Sequence, residues 1–391
     1  MRIAFTLIGG KDWTGGYNYL LNLLHVLGQH QQDRLTPVLF VGEACTEGDI
    51  ASFAAIPGVE LVRTPLLNAA RRTVSLIQAM LLGQDASVRR LFQDHQIDVV
   101  FESAQFFGWR LGTPAIAWIP DFQHKVLPHL FSRSAWWKRE IGFRAQVLGG
   151  RIIMLSSEDA RRACEQHYPS TRGRTRTVHF AVPPGPRIQY SEARGIADSY
   201  GLPEQYFFMP NQFWRHKNHG LVLEALIILR QRGGQVVVAA SGKQADPRAP
   251  DYFPAFRDRL EQAGMQDMFR LLGMIPYPHL ASLMRASTAL LNPSLFEGWS
   301  TTVEEARSMG TPMLLSDLDV HREQMGENAR YFDRHSAQSL ADALDGFVPL
   351  SVIEREQRVD EARAVALQRV EQFALDFVEL AGYCQSRVGR T

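Results

Sequence analysis

Two carboxylates stand out for their setting. Glu297 and Glu305, with seven residues between them, fall where a short apolar run, 289–292, enters the turn Pro293-Ser294-Leu295-Phe296-Glu297-Gly298 and a helix is expected from about Thr302. A helix start offers unpaired backbone N–H groups and the positive end of a dipole, which suits a phosphate. The spacing puts Glu297 before the turn and Glu305 on the first turns of the helix, so the two can flank a ligand held there. Glu304 and Glu305 can equally be ordinary acidic partners of a helix dipole, and Glu297 a loop charge.

A second cluster follows the apolar run ending at Pro210. Arg215 and Lys217 are fixed positive charges on a loop before a helix, placed to neutralise a diphosphate; an isolated Arg-x-Lys is also an ordinary solvated pair. In the first half, Gly9-Gly10 and Gly15-Gly16 lie between the first strand and first helix, where glycine lets backbone approach a ligand and leaves amides free for phosphate. The run is neither Gly-x-Gly-x-x-Gly nor a Walker loop, which removes the main support for NAD or ATP. Another loop, 118–129, opens at the carboxyl edge of a strand and carries Asp121 and His124; a lone His is as readily a packed core residue. Two further strand-end segments, Ala240-Ser241-Gly242-Lys243 and Leu272-Gly273-Met274-Ile275-Pro276, belong to the second half. No His or Cys cluster has metal-ligand spacing, so no metal is expected.

These residues need strands to place them. Short apolar runs alternate with longer amphipathic stretches, as a parallel sheet with crossover helices requires. Strands are expected at 2–8, 36–41, 97–102, 115–119 and 151–155, with the clearest helix at 17–27. The segment 181–187, containing Pro183-Pro184-Gly185-Pro186, reads as a linker. Beyond it, strands are expected at 206–210, 235–240, 269–272, 289–292 and 312–316, and helices at 221–231, 253–263, 279–285, 302–309 and 336–347. The fold class is therefore α/β, with two doubly wound domains at 1–185 and 186–369. A final helical stretch, 354–387, repeats apolar residues at helical spacing, and 370–391 is expected to complete the first domain. A length of 391 residues fits two domains, and two domains imply a cleft.

Composition narrows the partners. With 42 basic and 41 acidic residues the formal charge is +1, which leaves no global field to steer the chain to nucleic acid. Cys45, Cys164 and Cys384 are widely spaced and odd in number, as reduced thiols in a cytoplasmic protein would be. The N-terminal run lacks the form of a secretory signal and no stretch is long and apolar enough to span a bilayer, so any membrane contact is expected to be peripheral. Such contact is suggested at Lys125, Arg133, Lys138, Arg139, Arg144 and Arg151, six cations against the single acid Glu140, with Trp136, Trp137 and Phe143 interleaved. The aromatics can equally pack inside, leaving the cations solvated.

Residues 292–306 resemble the Glu-x7-Glu signature of glycosyltransferase family four, also called glycosyltransferase group one, whose members are retaining enzymes of GT-B architecture. Residues 310–316 resemble that family's next strand. The resemblance implies two Rossmann-like domains facing across a cleft, an acceptor-side N-terminal domain and a nucleotide-sugar-binding C-terminal domain. It implies that Glu305 contacts the nucleotide ribose, that Glu297 lies near the donor sugar, and that the loop from Gly298 through Ser300, Thr301 and Thr302 holds the diphosphate. The family carries Lys and Arg on the earlier loop; Lys217 takes the Lys role, and with Asn211 at the strand end where the Arg stands, Arg215 is its substitute. Gly15 and Gly16 resemble the loop facing donor and acceptor, and the backbone at Ile275 resembles the segment that reads the base. Where relatives often have His-Asp, this chain has Pro120 and Asp121, with His124 nearby. The implied activity is transfer of a sugar from a nucleotide-sugar donor to a saccharide or lipid-linked acceptor, with retention, without metal or cofactor. Asp317-Leu318-Asp319 then reads as a helix cap, not a metal-binding pair. A sugar-nucleotide epimerase of the same architecture and a catalytically silent binding module are the alternatives.

Overall fold

The computed structural model describes residues 1–7, 14–103 and 105–387, and the side chains of all of these except Thr14 and Arg72. The glycines Gly9 and Gly10 lie outside the described residues.

Seven strands form one parallel sheet: β1 (Arg2–Thr6), β2 (Thr36–Gly42), β3 (Glu60–Thr64), β4 (Val99–Ser103), β5 (Ala115–Trp118), β6 (Ile152–Leu155) and β7 (Thr175–Thr177), in the order β3-β2-β1-β4-β5-β6-β7. Six more form a second: β8 (Phe207–Met209), β9 (Val238–Ser241), β10 (Phe269–Gly273), β11 (Ala289–Asn292), β12 (Met313–Ser316) and β13 (Arg330–Phe332), in the order β10-β9-β8-β11-β12-β13. The central strands are apolar on both faces because helices cover both sides of a parallel sheet; β11 and β12 are buried along their whole length. Three strands escape the sequence pattern. Glu60–Thr64, Thr175–Thr177 and Arg330–Phe332 are edge strands, half covered, with polar residues in most of their positions, so no apolar run announces them.

Each sheet reverses its winding once, between β1 and β4 and between β8 and β11. The carboxyl ends of such a strand pair frame a crevice, because the flanking crossover helices leave in opposite directions there. Asn211 follows β8 and Pro293 follows β11, so the second switch point is bordered by the two loops that carry the cations and the carboxylates.

The chain divides into two compact units, Met1–Phe122 with Arg133–Phe180 and Arg369–Thr391, and Gln123–Ser132 with Ala181–Gln368. Gln123–Ser132, inside the range assigned by sequence to the first domain, groups with the second unit. In the first unit Phe373 and Phe377 of the helix Val352–Ser386 pack on Tyr19, Phe180, Phe5 and Phe101. In the second unit Arg355 of the same helix donates to Ser287 O, and a side chain added to Gly310 would meet the Arg358 carbonyl oxygen at 2.7 Å, so glycine is required there.

Candidate functional site

The loops after β8 and β11 are stitched together by backbone. Leu295 N donates to His216 O at 2.8 Å. Asn218, in the left-handed region at φ 61°, turns its side-chain amide to donate to Pro293 O at 3.2 Å and Arg334 O at 3.0 Å. These ties fix the turn Arg215–Lys217 against the turn that carries Glu297. The consequence is an ion pair across the switch point: Lys217 Nζ lies 2.6 Å from Glu297 Oε1, with the two side chains 15% and 10% exposed.

Glu297 is held by more than Lys217. Ser294 Oγ donates to Glu297 Oε1 at 2.7 Å and lies 2.6 Å from Asn292 Oδ1. Burial pushes the Glu297 carboxyl up, but the charge of Lys217 and its hydrogen bond hold the group below its ordinary value. The site therefore holds a buried carboxylate and an ammonium in contact, a charge-neutral pair.

The helix Thr301–Ser308 starts beside this pair. Ser300 caps it, accepting from Val303 N at 3.4 Å while its hydroxyl receives Asn292 Nδ2 at 3.1 Å. Gln324 locks the cap from the other side: its Oε1 accepts from Ser300 N at 3.2 Å and its Nε2 donates to Ser300 O and Glu304 Oε1, both at 3.1 Å. The amides of Thr301 and Thr302, the first helical positions, fall outside the helix's own bonding and point from its positive end. Glu304, which the sequence offered as a dipole partner, is buried and bonded to Gln324. Glu305 is half-buried, and its burial pushes the carboxyl up to about 7, against the lowering effect of Tyr277, whose hydroxyl donates to Glu305 Oε1 at 3.4 Å. That contact brings the loop after β10, with partly buried Ile275, to the same helix end.

Several residues of this site gain their meaning only in the fold, and among them His321, Arg248 and Asp246 were not visible in the sequence. His321 is fully buried; its Nδ1 donates to Ser316 O at 3.0 Å, which leaves Nε2 as an acceptor with no partner. Burial depresses its pKa despite the charge of Glu297, so the ring is neutral. Asn211 at the end of β8 is buried with Oδ1 unpartnered. Buried polar atoms without partners are uncommon, and these two lie on the segments that follow β12 and β8. Arg248 is stacked over Trp214 and Phe131, 5.3 and 5.4 Å from their ring centres, and donates to Gln123 Oε1 at 2.8 Å. Buried Asp246 holds both loop backbones, accepting from Arg215 N at 3.1 Å and Arg248 N at 2.9 Å. Gly242, at φ 143°, lies so close to the β8 loop that an added side chain would meet Asn211 O at 2.6 Å.

The remaining expected residues fall as follows. Arg215 is exposed at the rim of the turn. Gly298 is partly buried in the loop before the cap. His219 is fully buried, stacked on Phe213 at 4.0 Å, and pushed down to about 3 by burial, so it is a neutral core ring. His124 is fully buried on the short helix Gln123–Val126, edge-on to Phe131. In the first unit, Gly15 and Gly16 lie in the first turn of the helix Thr14–His30, and a side chain added to Gly15 would meet nothing within 4 Å. Asp121 Oδ1 pairs with Arg139 at 2.6 Å. The cap reading of Asp317-Leu318-Asp319 is corrected: Leu318 occupies the cap position and provides no side-chain bond, while Asp317 Oδ1 accepts from Arg334 N at 3.2 Å and pairs with its guanidinium at 2.8 Å. Among the described residues no group of three or more His, Cys, Asp or Glu is placed to hold a metal ion.

Residues 198–365 match the family model described as glycosyl transferases group 1. The O-antigen chain mannosyltransferase RfbU of Salmonella typhimurium is 23% identical over 141 residues, 36% of this chain and 38% of the relative, so the match spans well under half the relative's length. A glycosyltransferase from Rickettsia africae superimposes with a TM-score of 0.69 at 13% identity, over 98% of this chain and 97% of that one. HepE of Anabaena, crystallised in complex with UDP, superimposes with a TM-score of 0.67 at 16% identity over 100% of both chains. At these identities the structural likeness is one of fold. The stretch that matches the group 1 glycosyl transferases contains Lys217, Glu297 and Glu305, and the chain's α/β fold is that of the GT-B glycosyltransferases.

Proposed function

We propose that the protein transfers a sugar from a nucleotide-sugar donor to a saccharide or lipid-linked acceptor, with retention of anomeric configuration and without a metal ion. The observation that carries this reading is the Lys217 and Glu297 ion pair at the second sheet's switch point, beside the start of the helix Thr301–Ser308. A diphosphate there meets Lys217, the amides of Thr301 and Thr302, and the dipole end, and Arg215 adds charge from the rim. Fixed positive charge and oriented amides stabilise a leaving diphosphate without reorganisation during the reaction. Glu305 accepts from the ribose hydroxyls in place of Tyr277, the backbone at Ile275 reads the base, and Glu297 lies against the donor sugar. The first unit, with Gly15, Gly16 and Asp121, binds the acceptor, and His124 assists from the segment that follows. In a retaining transfer of this kind the leaving phosphate oxygen accepts the acceptor's hydroxyl proton as the new glycosidic bond forms on the face the nucleotide leaves.

The test is incubation with a panel of nucleotide sugars, with and without saccharide and lipid-extract acceptors. Release of nucleoside diphosphate with formation of a glycoside, its anomer assigned by NMR, supports transfer with retention. An epimerised nucleotide sugar in the donor-only reaction would assign the chain as an epimerase, and donor binding with no product in any arm would make it a silent binding module.

A further inference from the structure

The first unit carries two neighbouring helices whose outward faces are apolar and uncovered. Helices Ala69–Leu81 and Arg133–Leu148 meet at a small buried cluster of Ala79, Phe106 and Ala145, beside which Trp109 Nε1 donates to Met80 O at 3.2 Å. Opposite Ala79, the first helix exposes Val74, Ile77 and Leu81 at positions i, i+3 and i+7, with Ile77 52% and Leu81 79% exposed. On the second helix Trp137, Ile141 and Leu148, at i, i+4 and i+11, form one stripe and are 56%, 51% and 73% exposed. At about 100° per residue, Arg133 and Arg144 border that stripe on one side and Lys138 on the other.

The charges are of one sign. The first helix contains no Asp or Glu, and the second has only Glu140, which is fully buried, paired with Arg144 at 2.6 Å and accepting from Tyr168 Oη at 2.6 Å. The structure also trims the set of cations suggested by the sequence. Arg151 is buried against Glu102 at 2.9 Å and Arg139 is paired with Asp121, so neither is a free surface charge; Phe143 packs edge-on to Phe122. What remains on this helix is a tryptophan and aliphatic surface edged by Arg133 and Lys138, with Arg144 paired to Glu140 beside it, which is the composition that an anionic lipid interface attracts and anchors.

We propose that this helix pair seats the protein on an anionic lipid surface. The inference deepens the acceptor reading above and rests on it for its purpose: a protein resting on the interface by its acceptor-binding unit meets a lipid-carried saccharide in two dimensions. Co-sedimentation of the full chain with phosphatidylcholine vesicles, with and without phosphatidylglycerol, at low and high salt is the experiment. The variants are Arg133→Gln with Lys138→Gln, Trp137→Ser with Ile141→Ser, and Ile77→Ser with Leu81→Ser, and nucleoside diphosphate binding is measured on each as a separate readout. Binding is expected only to the anionic vesicles, weakened by salt, falling about 30-fold in the charge variant at about fivefold per cation. It should be lost in both apolar variants, with nucleotide affinity unchanged throughout. Absence of wild-type binding at low salt, or equal binding by the variants, overturns the proposal, as does a concentration-dependent dimer abolished by the apolar variants, which would assign the face to a second copy. A wild type that binds nucleoside diphosphate but no anionic vesicle refutes this inference alone, and a wild type that binds the vesicles but no nucleoside diphosphate refutes only the donor reading.

Discussion

Replacing Lys217 with Met should have two separable consequences. The substitution keeps the length of the side chain and removes the charge 2.6 Å from Glu297 Oε1, leaving that mostly buried carboxylate with the Ser294 hydroxyl at 2.7 Å. Breaking a buried pair from one side costs roughly 3–5 kcal/mol; because both groups keep a little exposure, about 3 kcal/mol of stability at neutral pH is expected. The pH dependence should reverse. In the wild type, Glu297 lies below its unfolded value of 4.5, so it contributes stability above that value and loses it as pH falls through the lower folded pKa. In the variant the largest local charge that opposes burial is gone, the folded pKa rises above the unfolded one, and the stability attached to this group is then lost as pH increases through that window. Glu297→Gln on the Lys217→Met background should recover most of the stability, since the uncompensated charge is removed. Donor affinity should not recover, because the lost contact to diphosphate is worth about 1.5–3 kcal/mol, roughly 10- to 150-fold in Kd. Urea unfolding across acidic and neutral pH, with calorimetric titration of the identified donor, measures both. A single variant that unfolds like the wild type would show that Lys217 does not neutralise Glu297, and a double variant that regains donor affinity would show that Lys217 does not hold the diphosphate.

Four further outcomes follow from the same account. Donor affinity should rise with pH up to about 7 and then level off, because a ribose contact needs the ionised form of Glu305, whose carboxyl titrates near 7 in the free protein; calorimetry of Glu305→Gln should give a weaker and pH-independent affinity. The stability attached to Glu305 runs the other way, present below 4.5 and lost as pH rises to about 7, since its folded pKa is raised. Gly242→Ala should lower the melting temperature and weaken donor binding together, because the new carbon would lie 2.6 Å from Asn211 O at φ 143° and displace the β8 loop; strain of this kind costs about 1–3 kcal/mol. Transfer should continue in excess chelator, and complete loss restored by magnesium or manganese would remove the role given to Lys217 and the helix amides.

Residues 292–306 were readable in the sequence because strand, turn and helix follow one another there, so the two carboxylates and the free amides are set by local structure. The two-sheet architecture was readable from its buried central strands for the same reason. What escaped depends on contacts across the fold. Gln324 acts on Ser300 across 24 positions, His321 reaches the site through Ser316 at the end of β12, and Arg248 is defined by Trp214, Phe131 and Gln123; none of them has a distinctive neighbour in sequence. Arg151 reads as one of a run of surface cations until Glu102, 49 positions away, is brought to 2.9 Å. The helix after β12 offered two acids where a cap was expected, and tertiary pairing with Arg334 took Asp317 instead.

The measurement that bears most directly on the central claim is calorimetric titration of nucleoside diphosphates into the wild type and into a Lys217→Met, Glu305→Gln double variant whose fold is verified by circular dichroism. At least one diphosphate should bind the wild type, and the double variant should bind it at least 100-fold more weakly, as expected from the loss of two contacts of about 1.5 kcal/mol or more each. Equal affinity in the two proteins, or no binding of any nucleoside diphosphate to the wild type, would contradict the assignment of the second sheet's switch point as the donor site.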